Sequence, residues 1–160
     1  MPARYLQRLS GSAIRAFEDV VREAAPLDQE KLASILGQVV RDRMTLAEDF
    51  LKDAPGRGFR LAVSRSYYAM YHAARSVVFA QKRMDVDEHL KLPANLPDDF
   101  PEREHWKDRL GFWRVKRDDA DYSPYISVED DPEALARDAL RDAGAFLGAC
   151  RQYLNERGAL

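Results

Sequence analysis

Apolar side chains recur every three or four residues along most of this chain, a spacing that places them on one face of an α-helix. The pattern predicts a first helix over residues 12–24, which Pro26 ends. A second helix is predicted to follow, with Asp28 as its N-cap and an apolar stripe that runs to Phe50. The Ala-Pro-Gly-Arg-Gly stretch at 54–58 then breaks the helical pattern.

The second half of the chain shows the same periodicity, interrupted by a loop rich in proline. A third helix is predicted over residues 59–81, with little of the alternation that a strand would show. Residues 84–101 hold three prolines and several acidic side chains, so we expect an extended loop there. A fourth helix is predicted to start with Pro101 in its first turn and to run to about Arg117. A last helix is predicted from Pro132 to near the C-terminus.

These elements predict an all-α fold, an up-and-down bundle of four to five helices, in a single domain that spans residues 1–160. Within it, residues 1–27 are expected to form an N-terminal helical extension and residues 28–157 the core bundle. A chain of 160 residues can bury most of the apolar surface of one core without disulfides or metals. Its 46% hydrophobic and 32% charged residues suit amphipathic helices better than a disordered tail or a membrane protein.

Charge and cysteine content narrow the classes of function. A formal net charge of -2 and a pI near 5.9 argue against a broad basic surface for nucleic acid and leave room for a local basic groove. Cys150 is the only cysteine, so there is no intramolecular disulfide and no cysteine set for zinc, which favours a reducing cytoplasm. Charged residues interrupt the N-terminal segment, so we expect neither a signal peptide nor a membrane span there.

Arg65 and His72 are the first pair of residues that point to chemistry. They lie seven residues apart in the third predicted helix, close to two turns, so both side chains are expected on one face with Tyr68 between them. One interpretation is an ordinary core helix in which Tyr68 packs and His72 forms a local hydrogen bond. The other is an anion site, in which Arg65 grips a phosphate and His72 acts as an acid or base near neutral pH.

Arg117 closes an aromatic stripe in the fourth predicted helix. Trp106, Leu110 and Trp113 precede it at helical spacing, so its guanidinium is expected to point inward. A buried guanidinium requires partners such as Asp121 or a bound phosphate. The alternative is a solvated helix end, at which mixed charges surround this arginine.

Other groups of residues carry weaker signals. His89 and His105 lie near acidic residues, but their separations do not match a known helix-borne site, so no metal is predicted. The sequence shows no glycine loop that would cradle a phosphate and no dinucleotide fingerprint, and no cofactor is predicted. Aromatic residues at helical spacing could stack bases, although most of them are expected in the core.

Two segments resemble signatures of the small prokaryotic members of the HEPN (higher eukaryote and prokaryote nucleotide-binding) family. Residues 62–74, Ala-Val-Ser-Arg-Ser-Tyr-Tyr-Ala-Met-Tyr-His-Ala-Ala, look like the Arg-x-Tyr-Tyr-Ala-x-(Phe/Tyr)-His-x-Ala signature. Residues 117–122, Arg-Asp-Asp-Ala-Asp-Tyr, are similar to a second signature, Arg-x-x-Ala-Asp-Tyr. His89 lies in the loop between them, where such proteins often carry a histidine. The resemblance covers about residues 32–154.

The resemblance implies a protein that binds or acts on RNA or a nucleotide, usually as a homodimer with a polar cleft near the dimer interface. Many members are metal-independent endoribonucleases, often toxins of toxin-antitoxin or other defence systems. The predicted catalytic residues are Arg65, His72, Arg117 and Asp121. The predicted nucleotide- or RNA-binding residues are Tyr68, His89, Asp118 and Tyr122. We expect the two arginines to point inward and to converge on one polar pocket, where an RNA 2′-hydroxyl attacks its adjacent phosphate with His72 as base.

Two alternatives stay open beside the ribonuclease. The family's catalytic motif is an arginine followed, after four to six residues, by a histidine, whereas Tyr122 stands five positions after Arg117. Arg65 and His72 match that spacing, but on another helix. One alternative is therefore a non-catalytic nucleotide- or RNA-binding module that partners a nucleotidyltransferase or an antitoxin. The other is a structural interaction protein whose arginines form internal salt bridges.

Overall fold

Four helices make up most of the chain that the structure describes. The structure is a computed structural model, and it describes residues 14, 15, 18, 19, 26–125 and 131–160, with residues 26–28 described by their backbone alone. The helices are α1 (Pro26–Asp53), α2 (Phe59–Lys82), α3 (Arg103–Tyr122) and α4 (Pro132–Asn155), with a 3₁₀ turn at Pro93–Asn95. No described residue lies in a strand, so the predicted all-α bundle is confirmed. None of these four helices has both the length and the apolar character needed to cross a membrane.

Helix α2 lies at the centre of the bundle and packs against α1, α3 and α4. Small side chains along it let the neighbouring helices approach closely, and those that are buried include Ala62, Ser66, Ala69, Ala73, Ala74 and Ser76. Helices α1 and α2 run antiparallel, because Ser76 Oγ donates to the carbonyl oxygen of Val40 at 2.8 Å while Phe50, later in α1, stacks on Tyr68, earlier in α2. A short connection at 54–58 suffices for this arrangement, as the break in the pattern predicts.

Helices α3 and α4 are joined by a buried carboxylate. The predicted inward stripe of α3 is confirmed, since Trp106, Leu110 and Trp113 are all buried. Asp142 of α4 accepts hydrogen bonds from Trp113 Nε1 at 3.0 Å and from Arg109 Nε at 2.6 Å. The carboxylate therefore satisfies the indole donor inside the core and fixes how α3 lies on α4.

The start of α1 differs from the prediction. The helix begins at Pro26, the residue predicted to end the preceding helix, so Asp28 lies in its first turn and is not its N-cap. Proline suits a first helical turn because its φ is already helical and its missing N–H has no intrahelical partner to lose there. Of the helix predicted over residues 12–24, only residues 14, 15, 18 and 19 are described. All four are helical, and Ile14 is fully buried.

Both ends of α3 also differ from the prediction. The helix begins after Glu102, whose φ of 50° is left-handed, so Pro101 lies before the helix rather than in its first turn. It continues past Arg117 to Tyr122. It ends there because Ser123 adopts extended backbone, with φ -84° and ψ 128°, as a residue before proline prefers.

The segment between α2 and α3 is an extended loop, as predicted, and it is fastened to the bundle at several points. Its apolar residues Val86, Leu92, Leu96 and Phe100 are buried in the core. Tyr71 of α2 donates to the carbonyl oxygen of Asp87 at 2.7 Å, and Tyr153 of α4 donates to Asp99 Oδ1 at 2.7 Å. These contacts give His89, which lies in the same loop, a defined position over α2.

Candidate functional site

Six aromatic side chains from three parts of the chain form one contiguous group, which we call the tyrosine–histidine cluster. Its members are Phe50, Tyr67, Tyr68, Tyr71, His72 and His89, and neighbouring ring centroids lie 4.2–6.4 Å apart. Four of them come from two successive turns of α2, where residues four apart share a face. Phe50 reaches the cluster from α1 and His89 from the loop, so the cluster is a product of the tertiary fold.

His89 is held by two tyrosines of α2. Its ring stacks on Tyr71 with centroids 4.2 Å apart, and its Nδ1 lies 2.7 Å from the hydroxyl oxygen of Tyr67. Burial raises the pKa of Tyr67, so its hydroxyl stays protonated, and we assign it as the donor to Nδ1 because this satisfies a buried O–H. The proton of neutral His89 is then on Nε2, where it is available to a ligand.

His72 is the second imidazole of the cluster. It stacks on Phe50, with centroids 5.3 Å apart and planes 12° from parallel, and meets the edge of Tyr71. Burial, together with the nearby positive charges of Arg75 and Arg43, lowers the pKa of His72 to about 4. No hydrogen bond joins this ring to another described residue, so the local hydrogen bond of the core-helix interpretation is not formed within that part of the chain. At neutral pH the ring is uncharged and can accept a proton.

The depressed pKa of His72 predicts a pH dependence of stability. In the unfolded chain this histidine takes up a proton near pH 6.5, whereas in the folded protein it does so near pH 4, so the unfolded state is protonated first. We therefore expect this histidine to leave the free energy of unfolding unchanged above pH 6.5 and to lower it as the pH falls from 6.5 towards 4. Urea unfolding at several pH values, with the His72→Gln variant as the control that lacks this dependence, measures the effect. An NMR titration midpoint of 6.5 for the folded ring would contradict it.

Arg117 packs against the end of the cluster formed by Tyr67 and Tyr68. Its side chain is 6% exposed, so its predicted inward direction is confirmed. Its guanidinium carbon lies 5.2 Å from the ring centroid of Tyr67 and 5.5 Å from that of Tyr68. Its Nη1 is 3.1 Å from Asp118 Oδ1 and 3.8 Å from Asp121 Oδ2, which confirms Asp121 as a partner. The Nε of Arg117 is buried and has no hydrogen-bond partner in the part of the chain that the structure describes, so the side chain has a spare donor there.

The two carboxylates beside Arg117 have further partners of their own. Ser64 Oγ donates to Asp121 Oδ2 at 3.3 Å, and Arg114 Nη1 lies 3.1 Å from Asp118 Oδ2. Both carboxylates remain partly open to water, with side chains 40% exposed for Asp118 and 26% for Asp121. Moving these carboxylates away from Arg117 therefore costs less than moving fully buried acids.

Arg65 does not point inward, and the expectation of two inward arginines in one pocket is wrong for it. It shares a face with His72, as predicted, because its guanidinium carbon lies 5.2 Å from the same Phe50 ring. Its side chain is, however, 40% exposed and pairs with Asp53 at 3.4 Å. Arg65 is exposed because it lies on α2 opposite the last residue of α1, at the end of this helix pair that faces solvent. Tyr68 and Phe50 lie between Arg65 and Arg117, so the two arginines border the cluster from different sides.

Tyr122 is not part of the cluster. It is the last residue of α3 and is 76% exposed. It lies five positions after Arg117, a rotation of about 500° around the helix, so the two side chains leave α3 about 140° apart. His105, the third histidine, lies on the exposed side near the start of α3 against Trp106. Within the described ranges, no group of three or more His, Cys, Asp or Glu side chains is placed to hold a metal ion.

Several residues of the site were not singled out by the sequence pattern. Tyr67 and Tyr71 are expected in the core and are buried, but their hydroxyls also position the loop that carries His89. Arg75 continues the face of α2 that bears Arg65 and His72, as their i, i+7, i+10 spacing indicates. Phe50 belongs to the cluster only because α1 packs on α2, and no local sequence pattern predicts which residues of the two helices meet.

Comparisons with known proteins add no further assignment. No protein-family model matches the chain, and a search of the curated proteins finds no match. The resemblance to the HEPN family is based on the segments at 62–74 and 117–122, and membership of that family stays a prediction.

Proposed function

We propose that this protein binds RNA at the tyrosine–histidine cluster and cleaves it as a metal-independent endoribonuclease of the HEPN type. One observation carries the proposal. Two neutral imidazoles from different elements, His72 and His89, both contact the ring of Tyr71, and a buried arginine with a spare donor packs on the adjoining tyrosines. A base, a hydrogen-bond donor and a positive charge beside one another are what phosphodiester transfer to a 2′-hydroxyl requires.

In the proposed reaction His72 removes the proton from the 2′-hydroxyl. The 2′-oxygen then bonds to the adjacent phosphorus, and the bond from phosphorus to the 5′-oxygen breaks. The leaving 5′-oxygen takes a proton from solvent, which yields a 2′,3′-cyclic phosphate and a 5′-hydroxyl. Arg117 and the Nε2–H of His89 are proposed to stabilise the negative charge that develops on the phosphoryl oxygens. Tyr68, which is half-buried, offers a ring face for a neighbouring base.

A second function, RNA or nucleotide binding without cleavage, is favoured by the ion pairs of Arg117. Asp118 and Asp121 already balance this cation, and Tyr122 lies away from the cluster in place of the histidine that the family motif contains. In that case the site would serve recognition within a larger system. A homodimer and an antitoxin or nucleotidyltransferase partner stay predictions from the resemblance.

The two functions are separated by incubating the purified protein with labelled single-stranded RNA and with transfer RNA in excess EDTA. We expect fragments that end in a 2′,3′-cyclic phosphate, because the proposed nucleophile is the neighbouring 2′-hydroxyl. An RNA with one 2′-deoxyribose at the cleaved position is the matched control and should stay intact there. Binding without fragments would favour the non-catalytic module, and the absence of both binding and cleavage would refute both functions.

A further inference from the structure

Two arginines share one aspartate next to the tyrosine–histidine cluster. Arg75 of α2 makes a two-point contact with Asp85, with Nε 3.0 Å from Oδ1 and Nη2 2.7 Å from Oδ2. Arg43 of α1 places its Nη2 2.8 Å from the same Oδ2. The side chains are only 6% exposed for Arg43 and 14% for Arg75 and Asp85. We call this group the Arg43–Arg75–Asp85 triad.

The triad carries one positive charge in excess, in a place with little access to water. Two guanidinium groups face one carboxylate, and the Nε of Arg43 is buried without a hydrogen-bond partner among the described residues. Burial lowers the pKa of Arg43, and the charge of Arg75 lowers it further, as expected of a cation that lacks counter-charge. A buried charge and an unpaired donor are both costly, and one additional anion would satisfy them together.

The position of the triad connects it with the histidines. Arg75 follows His72 by three residues on α2, which places their Cβ atoms about 5–6 Å apart on one face. The guanidinium carbon of Arg75 also lies 5.2 Å from the ring centroid of Tyr71, the ring that both histidines contact. Arg117 packs on Tyr67 and Tyr68, which precede Arg75 by about two turns of α2. The two histidines therefore lie between two cationic groups, Arg117 and the triad.

We propose that Arg43 and Arg75 form a second phosphate subsite, so that the ligand is a single RNA strand held by two separate phosphates, one at Arg117 and one at the triad. This inference rests on the proposed function and extends it to the class of ligand. The two subsites are separated by about 10 Å along α2. A nucleoside monophosphate fills only one of them, and a nucleoside diphosphate cannot span them because its phosphates share a bridging oxygen. A strand of several nucleotides reaches both, with the histidines beside the linkage between them.

The first test is an NMR titration of the full chain with inorganic phosphate, following the arginine Nε–Hε signals. These are assigned from the loss of one signal each in Arg43→Lys and Arg75→Lys. We expect the Arg43 signal to shift saturably, since its Nε–H gains an acceptor, and to shift equally in Arg117→Met. An Arg43 signal that does not move at any phosphate concentration the protein tolerates would overturn the subsite, because the cation would then be satisfied within the chain.

The second test measures binding of a ten-nucleotide 2′-O-methyl RNA, which cannot be cleaved, as a function of salt. Losing one phosphate contact should make the slope of log K against log salt concentration less steep by about 0.7 for a single strand. We expect this change in Arg75→Met, no change in Arg137→Met on the exposed face of α4, and tighter binding in Asp85→Asn, which increases the excess charge. Binding by Arg75→Met with the wild-type slope would overturn the inference.

The two proposals fail in different ways. If phosphate shifts the Arg43 signal but wild-type protein binds no RNA, the subsite stands as a site for free phosphate and the proposed function is wrong. If RNA binds with a dependence on Arg117 and none on Arg75, the proposed function stands and the second subsite is wrong. The phosphate titration is measured on wild-type protein, and its signals are assigned with the charge-conserving lysine variants, so instability of Arg75→Met does not prevent a decision.

Discussion

Replacing His72 with alanine is expected to lower the rate of RNA cleavage by about 10²-fold, the lower end of the range typical for loss of a general base, because a histidine with a lowered pKa is a weaker base. The reason is that burial holds the pKa of His72 at about 4, so the ring is neutral at pH 7 and free to accept the 2′-hydroxyl proton. The same value predicts a rate that is constant around neutral pH and falls only as the pH approaches 4. Single-turnover cleavage of a labelled RNA in EDTA, measured from pH 4 upwards, checks both statements.

The matched control for this prediction is His105→Ala. His105 is exposed near the start of α3 and contacts Trp106, away from the tyrosine–histidine cluster, so its removal should leave the cleavage rate unchanged. Circular dichroism of both variants checks that they keep their helices. Wild-type cleavage by His72→Ala would refute the assignment of this histidine as the base.

Replacing Arg117 with methionine is expected to lower the cleavage rate by about 10²–10³-fold and to weaken RNA binding as well, because the lost charge acts on both the bound phosphate and the transition state. Methionine keeps much of the apolar stem that lies against Tyr67 and Tyr68. The partners Asp118 and Asp121 are partly exposed and can be hydrated when the arginine is gone. The fold should therefore survive, and RNA affinity and cleavage rate can be measured on the same preparation.

This variant also separates the functional interpretation from the structural one. If the arginine serves internal ion pairs alone, Arg117→Met should lower the midpoint of urea unfolding while RNA affinity and cleavage stay at the wild-type level. Arg137→Met is the control for removal of an arginine as such, since Arg137 lies on the exposed face of α4 and pairs with Glu133. An unchanged RNA affinity in Arg117→Met would contradict the proposed site even if the ribonuclease activity of the wild type is found.

The all-α fold, the long loop and the burial of Arg117 could all be predicted before the structure, because each follows from residues close together along the chain. Apolar spacing determines which face of a helix is buried, and Arg117 continues the spacing of Trp106, Leu110 and Trp113. The helix ends were predicted less well. Pro26 begins α1, two residues before the predicted N-cap Asp28, because a proline is compatible with either side of a helix boundary and only the path of the chain selects one.

The helices, and the face of α2 that Arg65, Tyr68 and His72 share, follow from the amino-acid sequence alone, since a helical period is a local property. Which other residues these side chains contact depends on how the helices and the loop pack together. The contact of His89 with Tyr67 and the joining of Arg43 to Asp85 link residues 22 and 42 positions apart through a loop and a helix pair. Arg65 lies open to water and Arg117 does not, although both occupy helices, because exposure depends on what packs opposite a residue. Spacing along the chain does not show which residue packs opposite another. The sequence therefore located the candidate site on α2, and the fold was needed to identify the residues of α1, α3 and the loop that complete it.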